Sequence, residues 1–338
     1  MTSPASASTR ISTDFDFLVG TWDVEHHRLV SPPSGSAEWI TSGESQATAR
    51  TYLDGAVSVD EITLPAAGSS GMSVRLYSAE HDEWSIRWVS GRDGLVGPPV
   101  VGRWEGGPHD RHCRLVGDEV PQDGRPTRMT YEWDQITATD ARWQQAYSFD
   151  GEQTWEKNWE MRFHRTAAEP REVGQDHVEK VTSDFDFLTG TWQVRHRKLR
   201  SRLTGCTDWD EFESGFEART HLNGLVSIDE GALWSPDPAY PSTYRGMTFR
   251  AYDVTAGEWV LHWFDSRTLQ WDETPVRGRF VDGVGEFVAA DHHAGVPVLC
   301  RYRWTVHSDE RASWEQAFST DDGSTWETNW VMEETRVG

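Results

Sequence analysis

The sequence predicts an all-β protein built from two tandem antiparallel up-and-down β-barrels, with roughly eight to ten strands each. Two observations lead to this prediction. Apolar and polar residues alternate with a period of two, and no segment sustains a helical period beyond a short turn. The chain also repeats itself, because the segment that starts at Asp14 returns at Asp184. A repeat of about 170 residues is far too long for a solenoid unit, so each copy should be a complete domain.

The repeat sets the domain limits. We expect the first barrel at residues 13–165 and the second at 183–336. The segment between them, 166–182, is polar, contains Pro170 and Gly174, and has no apolar period. Such a composition is typical of a linker.

Short alternating segments separated by Gly, Asp and Pro turns predict the strands of the first copy. They lie near residues 21–30, 44–53, 56–64, 71–79, 83–90, 99–105, 111–118, 127–135, 142–149 and 153–164. So many antiparallel strands in about 150 residues favour a closed barrel, because closure leaves no edge strand unpaired.

Matching segments align the two copies of the sequence from beginning to end. The opening Phe17-Leu18-Val19-Gly20-Thr21-Trp22 returns as Phe187-Leu188-Thr189-Gly190-Thr191-Trp192. In the final hairpin, Asn158-Trp159 returns as Asn329-Trp330. The segment Ser319 to Trp326 fits the Asp-box pattern of sialidase-like propellers, but its Asp, Ser and Gly residues are interpreted as a tight hairpin turn and not as evidence of sugar chemistry.

The opening of each copy resembles the Gly-x-Trp start of the calycin superfamily, which includes lipocalins, fatty-acid-binding proteins and nitrobindin-like barrels. Together with the Trp-rich final hairpin, it is most similar to a calycin-like bacterial domain family of unknown function. This resemblance implies lipocalin-like barrels with a ligand cavity, and it does not imply a reaction. A haem barrel of the nitrobindin kind would need an axial His on a late strand, but Thr335 takes the place of His164 in the second copy. We therefore expect no cofactor.

Composition narrows the possible partners. The formal net charge is -23, with 55 acidic and 32 basic residues, which argues against a nucleic-acid partner. No run approaches the ~20 apolar residues needed to span a bilayer, and the N-terminus lacks the pattern of a secretory signal. We expect a cytoplasmic protein without a membrane partner. A homodimer is compatible with the sequence. Its three cysteines have no metal-ligand spacing, and no metal site is predicted.

Strand parity predicts which polar side chains face the lumens. In calycins the Trp of Gly-x-Trp lies inside the closed end, so residues two, four and six positions later should share its face. These residues include His26 and Arg28 in the first copy, and His196 and Lys198 in the second. On the third strand, the apolar face of Val57 and Val59 predicts that Glu61, and by the same reasoning Glu230, also points inward.

Aromatic and amide residues complete the predicted sites. Their common feature is that they share a strand face with apolar residues in both copies: Trp88, Gln145 and Trp159 in the first copy, and Trp263, Gln316 and Trp330 in the second. The copies diverge where Ser90 becomes Asp265, on the face of Trp263. If one barrel alone is active, this difference favours the second.

Buried His, cation and carboxylate side chains need partners, so an inward set predicts a site. The favoured hypothesis is a cofactor-independent isomerase, cyclase or lyase that acts on a largely apolar or aromatic small molecule. In it His26 or His196 moves a proton, Glu61 or Glu230 orients or exchanges with that histidine, and Arg28 or Lys198 stabilises negative charge. Asp265 is a further catalytic candidate. The alternatives are catalysis by cavity shape alone, a non-catalytic binder or carrier of a hydrophobic small molecule, and a structural role for one barrel.

Overall fold

A computed structural model describes residues 11–30, 38–107, 110–119, 127–174, 179–234, 243–271 and 274–338, without the side chains of residues 43 and 44. Its contacts divide the chain into two compact units. The first ends at Glu179 and the second begins at Lys180, and residues 93–95 are grouped with the second unit. Among the described residues, no helix is long and apolar enough to cross a membrane.

Within the described part of the first copy, ten strands form a closed antiparallel barrel in which each strand pairs with its neighbour in sequence and the first pairs with the last. The strands are β1 (Gly20–Val30), β2 (Glu38–Tyr52), β3 (Val57–Leu64), β4 (Ser69–Ser78), β5 (Glu83–Ser90), β6 (Val100–Glu105), β7 (His112–Glu119), β8 (Thr127–Asp134), β9 (Asp140–Ser148) and β10 (Glu156–Ala167). Short 3₁₀ helices occupy Asp16–Leu18, Leu53–Gly55 and Pro65–Ala67.

The second copy has the same topology over its described residues, and the prediction of two tandem all-β barrels is confirmed. Its strands are β11 (Gly190–Leu199), β12 (Trp209–His221), β13 (Val226–Trp234), β14 (Thr243–Asp253), β15 (Glu258–Asp265), β16 (Val276–Val281), β17 (Val284–His293), β18 (Val296–Ser308), β19 (Arg311–Ser319) and β20 (Glu327–Arg336). Its 3₁₀ helices occupy Asp186–Leu188 and Leu222–Gly224.

Strand β10 extends two residues into the segment predicted as a linker, and the residues after it remain attached to the first barrel. The hydroxyl of Thr21 donates to the carbonyl of Glu169 at 3.0 Å and accepts from the amide of Arg171 at 3.0 Å. The N-terminal part of this polar segment is therefore held by hydrogen bonds to β1.

The repeated opening motif forms a plug at one end of each barrel. Phe15 packs edge to face on Trp84 with ring centroids 4.7 Å apart, and the indole of Trp22 donates to the carbonyl of Leu18 at 2.7 Å. Arg165 lies over the Trp22 ring at 4.1 Å and donates to carbonyls of the plug. The second barrel repeats these contacts with its own Phe185, Trp192 and Arg336. The plug explains why the motif returns in both copies.

The glycine of the opening motif is required by its backbone. Gly20 has a φ of +130°, and a Cβ there would lie 2.5 Å from the carbonyl oxygen of Ala167. Gly190 has a φ of +124° and meets the corresponding obstacle at Gly338. Only glycine tolerates this combination of positive φ and close backbone approach.

The Asp-box segment forms a hairpin turn, which confirms the structural interpretation. Asp321 accepts hydrogen bonds from the amide and the hydroxyl of Thr325, at 2.8 and 2.7 Å. These bonds lower the pKa of Asp321 to about 2, so the aspartate is committed to the turn.

Candidate functional site

Each barrel contains an aromatic-lined cavity. The cavity of the first barrel has a volume of about 390 Å³ and that of the second about 300 Å³. Tryptophans at matching positions line both, namely Trp88, Trp133, Trp143 and Trp159 in the first and Trp263, Trp304, Trp314 and Trp330 in the second. Volumes and walls of this kind suit a small, largely apolar ligand.

The histidine predicted to face inward is buried in each barrel and bonded at both ring nitrogens. Nε2 of His26 lies 2.7 Å from the hydroxyl of Ser45, and Nδ1 accepts from the indole of Trp159 at 3.2 Å. His196 has the same arrangement with Ser214 at 2.7 Å and Trp330 at 3.1 Å. Because the indole can only donate, Nδ1 is an acceptor and Nε2 carries the proton.

These histidines are held neutral. Burial, with a smaller contribution from the neighbouring cation, lowers the pKa of His26 and of His196 to about 4. His196 lines the cavity of its barrel, whereas His26 is not among the residues that line the first cavity. Neither ring nitrogen is left open to exchange a proton with a ligand unless the tryptophan or serine moves away.

The predicted cations both lie on the tryptophan that bonds the histidine. The guanidinium of Arg28 is 3.6 Å from the Trp159 ring centroid, and Nζ of Lys198 is 4.2 Å from that of Trp330. Arg28 lines its cavity, while Lys198 shares the face of His196 without being among the lining residues. Burial lowers the pKa of Arg28, and it lowers that of Lys198 to about 8 with help from nearby Arg202 and Arg267.

The predicted orientation of the third strand is wrong. Asp60 on β3 and Asp229 on β13 line the cavities, and the neighbouring Glu61 and Glu230 point to the other face. Glu230 forms an ion pair with Arg245 at 2.8 Å on that face. The apolar pattern gave the wrong face because the outer face of this strand is also buried: Val57 points away from the lumen and is 0% exposed.

A buried Arg–Asp pair lies above the plug of each barrel. Arg75 pairs with Asp60 and lies 5.0 Å from the ring centroid of Phe15, and Arg250 pairs with Asp229 at 4.9 Å from that of Phe185. Both arginines line the cavities and are at most 3% exposed. In each, Nε and Nη1 make no hydrogen bond within the described part of the chain. Sequence reasoning missed these pairs because it placed the wrong face of the third strand inward.

Trp88 and Trp263 line the cavities as predicted, and a glycine on the neighbouring strand admits each ring. A Cβ on Gly71 would lie 1.9 Å from the Trp88 ring, and one on Gly246 would lie 2.3 Å from the Trp263 ring. The absence of a side chain at these two glycines therefore lets the indole rings pack directly on the neighbouring strand of the barrel wall.

The predicted amides also reach the cavities. Gln145 lines the first and donates to the side chain of Asn158 at 3.1 Å, and Gln316 lines the second. Asp265 does not line the cavity: it pairs with Arg267 at 2.7 Å and accepts from the backbone amide of the same residue at 2.8 Å. At the end of β15 the carboxylate bonds the following turn, and its charge partly offsets the lowering of the pKa of Lys198.

Glu334 and Arg202 line the second cavity and were not predicted. Glu334 is 2% exposed and lies opposite Val194, at the place where the first barrel has Phe163. Extending the parity of Trp330 and Met332 by two residues would have found it. Arg202 lies between β11 and β12, and burial lowers its pKa.

No cluster of three or more His, Cys, Asp or Glu side chains among the described residues is arranged to hold a metal ion.

Comparisons with known proteins give weak likenesses. No protein-family model matches the chain, and no curated protein matches it. A structure of a DUF3598-family protein of unknown function from Nostoc punctiforme shares 11% identity over 96% of this chain and 99% of that one, with a TM-score of 0.30. Transferrin binding protein B of Haemophilus parasuis shares 7% identity over 94% and 76% of the two chains, with a TM-score of 0.21.

A putative AttH from Nitrosomonas europaea shares 10% identity over 99% of both chains, with a TM-score of 0.12. Since all three TM-scores are low, the fold assignment depends on the strand topology of the chain itself. That topology is two closed antiparallel barrels in tandem.

Proposed function

We propose that the protein binds largely apolar or aromatic small molecules in the lumens of its two barrels, with an acidic group of the ligand held by a cation on the aromatic wall. That cation is Arg28, which lines the first cavity, and Lys198, which lies on the cavity-lining Trp330 of the second. The observation that carries this proposal is the cation on the aromatic wall. Within the described residues, neither Arg28 nor Lys198 has a carboxylate within ion-pair distance, although both are partly desolvated. An anionic group on a ligand would supply the missing partner.

Binding is favoured over the proton transfer expected for the histidines. His26 and His196 are neutral, and their hydrogen bonds to serine and tryptophan fix the ring in one tautomer. Their geometry supports a role in orienting Trp159 and Trp330, on which the cations lie. A role of this kind needs no proton exchange with a ligand.

An isomerase, cyclase or lyase remains a second candidate for the second barrel alone. Glu334 and Asp229 line one cavity, and burial raises the pKa of Glu334 well above its ordinary value. A neutral acid near an ionised carboxylate is an arrangement that supports acid–base chemistry. Turnover of a bound compound that depends on Glu334 would favour this candidate.

Titration with 2-naphthoate and 2-naphthol, followed by tryptophan fluorescence and calorimetry, tests the binding proposal. Arg28→Gln and Lys198→Met should each weaken 2-naphthoate binding in their own barrel by about tenfold or more, because a charge-assisted hydrogen bond contributes ~1.5–3 kcal/mol. Arg142→Gln is the matched control, since Arg142 pairs with Asp134 and lines neither cavity. The proposal is wrong if neither probe binds saturably, or if both variants bind 2-naphthoate as tightly as the control.

A further inference from the structure

The carboxyl group of Glu334 is buried and has no hydrogen-bond partner in the part of the chain that the structure describes. It lies on β20, between Val194 of β11 and Ala312 of β19, and is 2% exposed. Neither of its carboxyl oxygens makes a hydrogen bond within the described residues, and the residue lines the second cavity. Burying such a group without a partner costs several kcal/mol, so its presence needs an explanation.

Space filling does not explain it. Phe163 occupies the equivalent place in the first barrel, where it packs on Trp22 and Trp133 with ring centroids 6.2 and 5.2 Å apart. An apolar ring therefore fits this position in the same fold. The carboxyl group of Glu334 adds chemistry that packing does not require.

The surrounding charges indicate what that chemistry is. The charged groups that face Glu334 are Asp229 and Arg250, which neutralise each other as an ion pair. Among the described residues, His196 and His262 also line this cavity, and His196 is neutral above its pKa of about 4. An ionised Glu334 would thus leave one net negative charge at this end. Burial raises the pKa of Glu334 well above its ordinary value, which favours the protonated form.

We propose that the inner end of the second lumen binds a basic nitrogen of the ligand, with Glu334 as its counter-ion. This inference rests on the proposed binding of small molecules in the lumens. On binding, an ammonium group enters with its charge, and the proton of the Glu334 carboxyl group passes to the solvent. Both barrels contain the Arg–Asp pair, so the added carboxyl group of Glu334 shifts the balance of charge in the second toward a cation, whereas the first, with Phe163 at this position, has no such group.

Cations lie further along the first strand of this barrel. Lys198 is four residues from Val194 on β11, which corresponds to about 13 Å of strand, and Arg202, which lines the cavity together with Asp291, follows the end of β11. The second lumen is thus suited to a ligand with an acidic group near the mouth and a basic nitrogen near the plug.

The test uses the full chain and three probes that differ only in their polar group: 2-naphthylmethylamine, 2-naphthylmethanol and 2-naphthoate. Calorimetry in two buffers of different ionisation enthalpy measures both affinity and proton release. We expect the amine to bind about tenfold or more tighter than the alcohol and to release about one proton. Glu334→Gln, which keeps the shape and removes the charge, should abolish both effects.

The reciprocal variant is Phe163→Glu, which should create an amine site in the first barrel; Glu334→Gln decides the question if that variant does not fold. The inference is overturned if the amine binds no tighter than the alcohol, or if Glu334→Gln leaves its affinity and proton release unchanged. Binding of the alcohol or naphthoate without any preference for the amine rejects this inference alone. Failure of all three probes to bind rejects the proposed function itself.

Discussion

The inner ends of the two lumens share a buried Arg–Asp pair and differ at one position of the last strand. That position is Phe163 in the first barrel and Glu334 in the second, where Glu334 lies near the pair. The plug, the pair and the histidine bonded to tryptophan are the same in both. The duplication has therefore kept the frame of the cavity and changed its charge, which indicates that the two lumens accept different ligands.

Removal of the buried arginine should have the largest effect and should separate the barrels. Breaking a buried ion pair from one side costs about 3–5 kcal/mol. Arg75→Met leaves Asp60 alone, whereas Arg250→Met leaves Asp229 beside Glu334, whose raised pKa favours a neutral carboxyl group that can donate to Asp229, so the first variant should be the more destabilised at pH 7–8. Hydrogen exchange resolved by mass spectrometry would assign the loss to each barrel. Equal losses would contradict the claim that the inner ends differ in charge.

The buried histidines should make the same contribution to acid sensitivity in both barrels. The folded pKa of about 4 lies below the ordinary histidine value of 6.5, so folding releases a proton, and stability present above pH 6.5 is lost as the pH falls toward 4. The full loss corresponds to roughly 3 kcal/mol for each histidine. Urea unfolding at pH 7 and pH 5 measures the larger part of this loss, and His196→Gln should remove the contribution of the second barrel. The control, His164→Gln, changes an exposed histidine and should leave the pH dependence intact.

Adding a methyl group behind the cavity wall should also affect both barrels. Gly71→Ala and Gly246→Ala bring a Cβ into the space of the Trp88 and Trp263 rings, which costs about 1–3 kcal/mol. The indole must move toward the lumen, so probe affinity should fall in the altered barrel. Thermal unfolding and a 2-naphthoate titration measure the two effects. Affinity unchanged in both variants would show that these rings do not border the bound ligand.

The smallest effect should come from giving the second barrel the residue of the first. Glu334→Phe removes a buried carboxyl group and should stabilise the second barrel by about 1–2 kcal/mol at pH 7. Because the folded pKa of Glu334 is raised, folding takes up a proton, and wild-type stability should decline as the pH rises above the ordinary value of 4.5 through the folded pKa. The variant should lose this decline. A loss of stability at pH 7 would mean that Glu334 serves the fold.

The fold and part of the site could be predicted from the sequence because the plug tryptophan fixes the orientation of its own strand. From Trp22, parity correctly places His26 and Arg28 on the inner face. No such anchor exists on β3, where Val57 and Val59 are buried without facing the lumen. Where both faces of a strand are buried, apolar alternation cannot tell inside from outside.

The end of the last strand was missed for a different reason. Glu333-Glu334-Thr335 is a polar sequence with no apolar alternation of its own. The parity of Trp330 and Met332, carried two residues further, places Glu334 on the lumen face. Its pairing with Val194, which shares the lumen face with Trp192, agrees with this placement.

The most direct test of the central claim is an infrared difference spectrum of the full chain before and after addition of 2-naphthylmethylamine. We predict that the carbonyl stretch of a protonated carboxylic acid disappears on binding, that carboxylate bands replace it, and that Glu334→Gln shows neither change. A protonated acid band that persists in the saturated complex, or the same difference spectrum from Glu334→Gln, would contradict the assignment of Glu334 as the counter-ion of a ligand in the second lumen.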